Sequence, residues 1–573
     1  MKEITGYPSI DKPWIKYYKE DSKIELPQET IWSEIFQNER NKKRIALEYF
    51  GVKISYEKMR LEVDKCAAAL LATGLKKGDV VNMCVSSCPE VIYIILACSK
   101  LGMMANFINP FFTKEQKADR LNDTNSEHLF VMDKMVPYIV GVIEKTKIKN
   151  IIIIPATNSL PLLSLKKDKM LKKIPYNYSL WREFISNGYD RNSITPIPYE
   201  KNMPLVMVYS SGTTGASKGI VLTNDSINAT ARMEYPVMGS EDPTTFLQII
   251  PIWFSTGVSL SILCVLLFGW TAILEPQYSQ ENFAKAIKKY KPMGVLGTAS
   301  LWDYAITSRE LKRVDLSFLK MAFSGGEPLS VNMEKQINQF FRNHNCMCYL
   351  RKGYGQCELG GTVTLAPNEC DNSGIENVGI PLPGVTISSF DMDNDNEVKY
   401  GNLGEIRVIS PARMLHYYMR PDATADFCYV DKTGKRWCCT GDIGYVANDG
   451  KVVILGRTSQ SFVNEKGERV YLFKTKHKLL EIEEIRRCEI VNTIVDGKNT
   501  IAAHIIIKEG TSEKKVLMKA NEKMLKLKPS ERPKVFKFRT EFLLNAASGK
   551  CDLESLKKEK NGFVSPDGKS VEL

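Results

Sequence analysis

Ser210-Ser211-Gly212-Thr213-Thr214-Gly215-Ala216-Ser217-Lys218-Gly219 is the stretch on which the reading of this chain turns. It packs hydroxyls, glycines and one lysine into a single loop. Glycines let backbone N–H groups converge on an anion through conformations that other residues avoid, the hydroxyls add donors, and Lys218 supplies a mobile positive charge. Such a loop binds phosphate. The preceding Pro204-Leu205-Val206-Met207-Val208-Tyr209 is a short apolar run rich in β-formers and predicts a buried strand feeding the loop. It is not a Walker loop, which needs Gly-x-x-x-x-Gly-Lys-Ser/Thr, because here the lysine stands three positions after Gly215 and is followed by Gly219.

Working outward, further segments follow in order. Pro251-Ile252-Trp253-Phe254-Ser255-Thr256-Gly257, Ser324-Gly325-Gly326-Glu327-Pro328-Leu329 and Tyr354-Gly355-Gln356-Cys357-Glu358 come first. Val378-Gly379-Ile380-Pro381, Gly404-Glu405-Ile406-Arg407-Val408, Thr440-Gly441-Asp442, Gly456-Arg457 and Ser548-Gly549-Lys550 complete the set. Upstream stand Lys77-Gly78-Asp79 and Ile108-Asn109-Pro110. The glycine-rich loop resembles the Ser/Thr-Gly-Thr-Thr-Gly-x-Pro-Lys-Gly signature of the adenylate-forming superfamily, which comprises acyl- and aryl-CoA synthetases, adenylation domains and luciferases of the firefly type. Ser217 stands where that family usually has proline. The resemblance runs from about residue 30 to about residue 555, and an ordered set of motifs is far more specific than one loop.

The resemblance implies an α/β fold, with a large N-terminal domain of stacked α/β sheets carrying a distorted β-barrel subdomain. A small, mobile α+β domain follows. The change of texture after Gly456-Arg457 places the boundary there; the resemblance implies that residues 1–456 bind ATP and the acid and that residues 457–573 form a lid carrying the catalytic lysine. Alternating apolar strands and helical patterns, such as Val80–Val85 followed by Glu90–Leu101, and the wholly apolar Ile151–Ile154, agree with parallel sheets. From Val378 to Asp449 short strands alternate with Gly, Pro, Asn and Asp turns, which predicts a more antiparallel sheet or barrel.

Activating a carboxylate with ATP brings two anions together while charge builds on the phosphoryl group, so positive charge and backbone donors are required. By resemblance, Ser210, Ser211, Gly212, Thr213, Thr214, Gly215 and Lys218 hold the β- and γ-phosphates, with Thr213 and Lys218 acting catalytically. Lys550 bridges the substrate carboxylate and the α-phosphate. Glu358 holds Mg²⁺, a hard cation that takes carboxylate and phosphate oxygen. Asp442 receives the ribose hydroxyls, Arg457 stabilises ribose or phosphate, and Tyr354 lies against adenine. Gly325, Gly326 and Glu327 form the adenine-side turn, and Gly355, Cys357 and Gly467 complete the nucleotide contacts. Each residue taken singly is equally a turn aspartate, a capping glutamate or a core tyrosine; jointly they point to ATP.

Trp253, Phe254, Thr256, Gly257 and Trp302 are the expected substrate pocket, with the aromatics forming either an apolar wall for an aryl or fatty acyl group or plain core. No acid stands in Trp253-Phe254-Ser255-Thr256 to pair with a substrate ammonium, which disfavours an α-amino acid. The function implied is an ATP-dependent carboxylic acid–CoA ligase working through an acyl-adenylate, with ATP, Mg²⁺ and coenzyme A as cofactors. Loading of an acyl carrier protein is the alternative acceptor chemistry, and an inactive nucleotide-binding homologue is a third reading.

Three departures from the family bear on rate and acceptor. Cys357 replaces a threonine, and a thiol is a weak donor. The hinge position is Ser459 or Gln460. Beyond Gly467 the chain reads Leu472-Phe473-Lys474-Thr475-Lys476-His477-Lys478 where the family has acids. This basic run is either a solvated helix face balanced by Glu481, Glu483 and Glu484, or a surface for an acidic acyl acceptor.

Bulk properties set bounds. The chain has 573 residues, is 43% hydrophobic and 25% charged, and carries a formal charge of +12; this is a globular composition with a mild preference for acidic ligands. The lysines are spread out and no nucleic-acid module is present. Fourteen cysteines include no Cys-x-x-Cys pair, so neither a zinc site nor a disulfide framework is expected, and a cytoplasmic location follows. The N-terminus lacks an apolar signal core. Gly257–Leu274 is uncharged and reaches the minimum length of a membrane span, but Gly269 divides it into a helix, Val258–Phe268, and a strand, Trp270–Leu274, so no transmembrane segment is expected.

Overall fold

The computed structural model describes residues 4–18, 24–37, 41–161, 176–188, 194–210, 217–238, 244–366, 377–495, 498–543 and 551–572. The chain divides into two compact units. The first takes residues 1–402, 407–440 and 445–453, and the second takes 403–406, 441–444 and 454–573.

Two large sheets dominate the first unit. One has eight strands in the order His416–Tyr417, Gly219–Thr223, Pro204–Tyr209, Met104–Phe107, Val80–Cys84, His128–Met132, Asn150–Ile154 and Tyr178–Leu180. Its inner pairings are parallel, and the strand Asn150–Ile154 lies parallel to both neighbours. Four isoleucines in a row belong in that position, because both faces of a central parallel strand are covered. At the other end Gly219–Thr223 turns back antiparallel on Pro204–Tyr209 with Tyr209 opposite Gly219. The glycine-rich segment is therefore the connection of an antiparallel pair, fed by the strand that the sequence predicts.

The nine-stranded sheet runs Ile380–Pro381, Gly361–Leu365, Leu350–Gln356, Met321–Ser324, Gly294–Gly297, Thr245–Gln248, Thr271–Leu274, Ile45–Tyr49 and Val52–Ser55. It is parallel within and antiparallel at both edges. The uncharged stretch before Thr271–Leu274 is helical as expected but begins as a π-helix over Thr256–Cys264 and closes as α over Val265–Leu267. Gly269 ends it at φ +76°. Among the described residues no helix is long and apolar enough to cross a membrane. Short π segments are uncommon and often mark functional positions.

A third sheet orders Thr386–Phe390, Gly404–Ile409, Arg436–Val446 and Cys428–Val430, with Val452–Arg457 pairing to Arg436–Val446. Cys428–Val430 and Arg436–Val446 pair antiparallel, within the region read from its turn residues. It carries one correction, because Cys428 and Cys438 are joined as a disulfide where no such bond is expected from spacing. They face each other across the antiparallel pair, with Cα atoms 4.4 Å apart, the separation of a non-hydrogen-bonded pair. Strand register is a tertiary fact, and a gap of ten residues does not announce it.

The second unit is built on the sheet Ile485–Val495, Lys498–Ile507, Val535–Arg539, Phe563–Val564 and Ser570–Val571. The helices Leu472–Leu480 and Glu513–Met524 cover one face, burying Leu479, Val516, Ala520 and Met524 with Ile501 and Ile505.

Candidate active site

The base of the glycine-rich loop is clasped. Ser210 N–H donates to the Lys218 carbonyl at 3.0 Å, Lys218 N–H donates to Ser210 Oγ at 3.1 Å, and Ser217 Oγ donates to the Ser210 carbonyl at 2.7 Å. Ser217 is 6% exposed. Where proline would stiffen the chain by fixing φ, this chain uses a hydroxyl to tie the two ends together. Ser211, Gly212, Thr213, Thr214 and Gly215 lie outside the described residues, as does Lys550 with its neighbours Ser548 and Gly549.

Lys218 and Glu358 meet through a residue that motif reading missed. Lys218 Nζ stands 4.9 Å from the centre of the Tyr417 ring, and the Tyr417 hydroxyl donates to Glu358 Oε1 at 2.9 Å. Tyr417 reaches this place because His416–Tyr417 adds to the edge of the eight-stranded sheet, opposite Ile220 and Val221. Glu358 reaches it because the strand Leu350–Gln356 ends in a turn of 3-10 helix, Cys357–Leu359, whose Glu358 carbonyl accepts Met414 N–H at 2.7 Å. Burial and the Glu358 carboxylate push the Tyr417 phenol well above its ordinary range, so it remains a donor. Glu358 is half-buried; a carboxylate fixed on one oxygen and open to solvent suits a hard cation that completes its shell with phosphate oxygen. Among the described residues no cluster of three or more metal-ligating side chains stands ready to hold an ion.

Gly355 allows the close approach of the strands around this site, since a Cβ there would strike the Gly361 carbonyl. Tyr354 pairs with Thr364 and is half-buried, as is Cys357. Gln356 Nε2 donates to the Thr440 carbonyl at 2.8 Å. Gly325 and Gly326 follow the strand Met321–Ser324, with Gly326 at φ +80°. Glu327, expected to serve the nucleotide, accepts Ser300 N–H at 3.0 Å and Ser300 Oγ at 3.3 Å, which caps the helix Ala299–Thr307.

The expected pocket aromatics separate. Trp253 and Phe254 adjoin each other, and Trp253 meets Phe111 edge-on at 5.9 Å. Phe111 in turn meets Tyr138, so a row of ring contacts runs from the buried Trp253 to the surface. Thr256 and Gly257 open the π-helix, where a Cβ on Gly257 would strike the Pro251 carbonyl. Trp302 corrects the pocket expectation. It is 1% exposed, packs edge-on against Phe283 and Phe341, and donates Nε1–H to the Phe323 carbonyl at 2.9 Å; it is a core residue. Motif spacing could not distinguish these environments.

In the second unit, Arg457 Nε lies 2.7 Å from Asp442 Oδ1, and Asp442 is 3% exposed. Gly441 N–H donates to Glu405 Oε1 at 3.1 Å. Gly467 adopts φ +76° in the turn between Ser461–Val463 and Arg469–Tyr471, where glycine is favoured. The basic run forms the helix Leu472–Leu480, and its charges are neutralised locally. Lys474 pairs with Glu531 at 2.7 Å, Lys476 with Glu489 at 2.8 Å, and Lys478 with Glu481. Two of the three acids come from other elements, not from the Glu481–Glu484 segment expected to balance them.

The fold is that of an α/β protein in two compact units. The chain belongs to the AMP-binding enzyme family, whose model matches residues 36–418. It is 25% identical over 568 residues to a long-chain-fatty-acid–CoA ligase of Bacillus subtilis (strain 168), covering 96% of this chain and 98% of the relative. Probable 4-coumarate–CoA ligase 1 of Dictyostelium discoideum is 25% identical over 477 residues, covering 81% and 83%. The fold matches o-succinylbenzoate coenzyme A synthetase from Bacillus subtilis in complex with AMP, with a TM-score of 0.74 at 19% identity, covering 95% of this chain and 99% of that one.

Proposed function

We propose that this protein is an AMP-forming acid–thiol ligase. A carboxylate attacks the α-phosphorus of ATP, giving an acyl-adenylate and pyrophosphate; the thiol of coenzyme A then takes the acyl group and AMP leaves. The observation that carries the reading is the Lys218–Tyr417–Glu358 arrangement within a chain of this family. It sets a mobile ammonium over the ring of one tyrosine and an oriented carboxylate at its hydroxyl, as a polyphosphate with its counter-ion requires.

Lys218 and the Ser210 to Gly215 donors bind the β- and γ-phosphates. Glu358 holds Mg²⁺, which when bound offsets phosphate charge. Tyr354 and the Gly325-Gly326 turn serve adenine, and Glu327 supports that turn by capping the adjoining helix. Asp442 takes ribose hydroxyls, with Arg457 beside it in the same unit. Lys550 supplies the charge between carboxylate and α-phosphate. Trp253 and Phe254 favour an apolar acyl or aryl group. Coenzyme A is the acceptor favoured by the sequence relatives; the basic run, which would serve coenzyme A phosphates or a carrier protein alike, is paired internally and favours neither.

The deciding measurement is acid-dependent pyrophosphate release across aryl, short-chain and long-chain acids, with and without coenzyme A, for the native protein and Lys550→Ala. Release that requires an acid, rises with coenzyme A and collapses in the variant is expected. Acid-dependent release that coenzyme A leaves unchanged would move the acceptor to a carrier protein, and no release with any acid would overturn the ligase.

A further inference from the structure

Away from this site, two cysteines of a Cys-x-Cys segment are in contact. Cys346 Sγ and Cys348 Sγ lie 3.3 Å apart, in the irregular link between the helix Val331–Asn343 and the strand Leu350–Gln356. The link is anchored at both ends: Cys346 N–H donates to the Phe341 carbonyl at 2.9 Å, and Leu350 N–H donates to Asn338 Oδ1 at 2.9 Å. Between these anchors the backbone carries no sheet or helix hydrogen bonds to break. Asn345 already sits at φ +61°.

Access and charge both suit thiol chemistry. Cys346 is buried and Cys348 half-buried, while the intervening Met347 is 87% exposed and Tyr349 50% exposed. Cys348 is the more accessible residue of the two, and its sulfur is in contact with that of Cys346. The hydrogen bond from Cys348 holds the Cys346 thiol below its ordinary range, with the Lys320 ammonium adding to the effect, and Cys348 is pushed up correspondingly. Cys346 Sγ also donates to the Leu319 carbonyl at 3.5 Å, so its sulfur is held in place beside Cys348.

We propose that Cys346 and Cys348 form a redox-active dithiol, a modification site at which hydrogen peroxide closes a disulfide. One thiolate attacks a peroxide oxygen; an S–O bond forms, the O–O bond breaks, and the departing hydroxide takes up the thiol proton as water. The second thiolate attacks the sulfenic sulfur, forming the S–S bond and expelling the hydroxyl, which leaves as water with the second proton. Two thiols and one peroxide give one disulfide and two waters, with two electrons passing from sulfur to peroxide. Closing to a bond of about 2.0 Å asks the sulfurs to approach by roughly 1.3 Å, a movement the irregular link can absorb.

The test uses the full chain. Trypsin releases Asn343–Arg351 as one peptide with Cys346 and Cys348 as its only cysteines. Native protein is treated with hydrogen peroxide, alkylated with iodoacetamide, digested and weighed directly or after dithiothreitol followed by a second alkylation. The expected result is loss of both alkylation adducts together with two hydrogens, and return of both adducts after dithiothreitol. In Cys346→Ser the Cys348 thiol should instead proceed to sulfinic acid, having lost its resolving partner. Met347 sulfoxide in the same peptide reports the dose. A peptide still doubly alkylated at a dose that has oxidised Met347, or native Cys348 converted to sulfinic acid without a disulfide, would overturn the proposal.

Discussion

Tyr417 donates its hydroxyl to Glu358 Oε1 at 2.9 Å, and the same ring faces the Lys218 ammonium. One residue thus links the two charges that the proposed function sets on the polyphosphate. Tyr417→Phe keeps the ring face and removes the hydrogen bond, so the carboxylate loses its orientation while Lys218 keeps its platform. The Mg²⁺ concentration for half-maximal pyrophosphate release should rise by about tenfold to a hundredfold, matching a loss of about 1.5–3 kcal/mol for a hydrogen bond to a charged group. Tyr417→Leu should raise the KM for ATP in addition. Equal behaviour of the two variants would show that the ring contact has no part.

The Ser217 clasp calls for its own test. Ser217→Ala removes the hydroxyl that reaches the Ser210 carbonyl, which should cost about 1 kcal/mol of loop order and appear as a raised KM for ATP with little change in melting temperature. Ser217→Pro supplies stiffness by the other route and should restore the KM. A proline variant weaker than the alanine one would contradict the equivalence.

Asp442 and Arg457 form a close pair in the second unit. Asp442→Asn should weaken ATP binding about tenfold or more, because an amide cannot accept from two ribose hydroxyls as a carboxylate does. Arg457→Lys loses the planar fork and should not behave conservatively. Binding of a fluorescent ATP analogue reads both, and unchanged affinity in Asp442→Asn would remove the residue from the nucleotide site.

Glu234 gives a pH signature of known sign. Burial lifts its carboxyl to about 7 from an ordinary 4.5, outweighing the nearby Arg351 and a hydrogen bond from Thr362; Oε1 has no partner among the described residues. Its folded pKa is raised, so the folded state holds the proton more tightly, and stability falls as pH rises from about 4.5 to about 7. Glu234→Gln should therefore be more stable than the native chain at pH 8, by on the order of 3 kcal/mol, and the two should converge near pH 4.5. Urea unfolding at several pH values measures this; parallel curves for the two proteins would refute it.

Lys474 pairs with Glu531, which is 5% exposed. Lys474→Gln should destabilise the second unit by about 1–3 kcal/mol, because it leaves a buried carboxylate without its partner, and the KM for coenzyme A should stay put. A raised KM with unchanged stability would return the helix to an acceptor-binding role.

Much of this was legible before any coordinates. Pro204–Tyr209, the four isoleucines ending at Ile154 and the break at Gly269 are local signals, written in runs of apolar residues and in one residue that tolerates positive φ. The ordered motifs pointed to the family because their residues and order resemble its signature, while glycine, hydroxyl, lysine and carboxylate are the groups that chemistry on a polyphosphate uses. Trp253 and Trp302, by contrast, look alike in a string of letters.

What the sequence by itself determined was the set of elements and the chemistry they serve. Only the tertiary structure decided that Tyr417 meets Glu358 across 59 residues, that Lys474 finds its counter-charge at Glu531, that Trp302 is core and that Cys428 faces Cys438. The physical reason is the same in each case. Backbone preference and apolar periodicity act over a few residues and are written locally, whereas strand register and side-chain pairing depend on which distant segments pack together, and that is settled by burial of the whole chain.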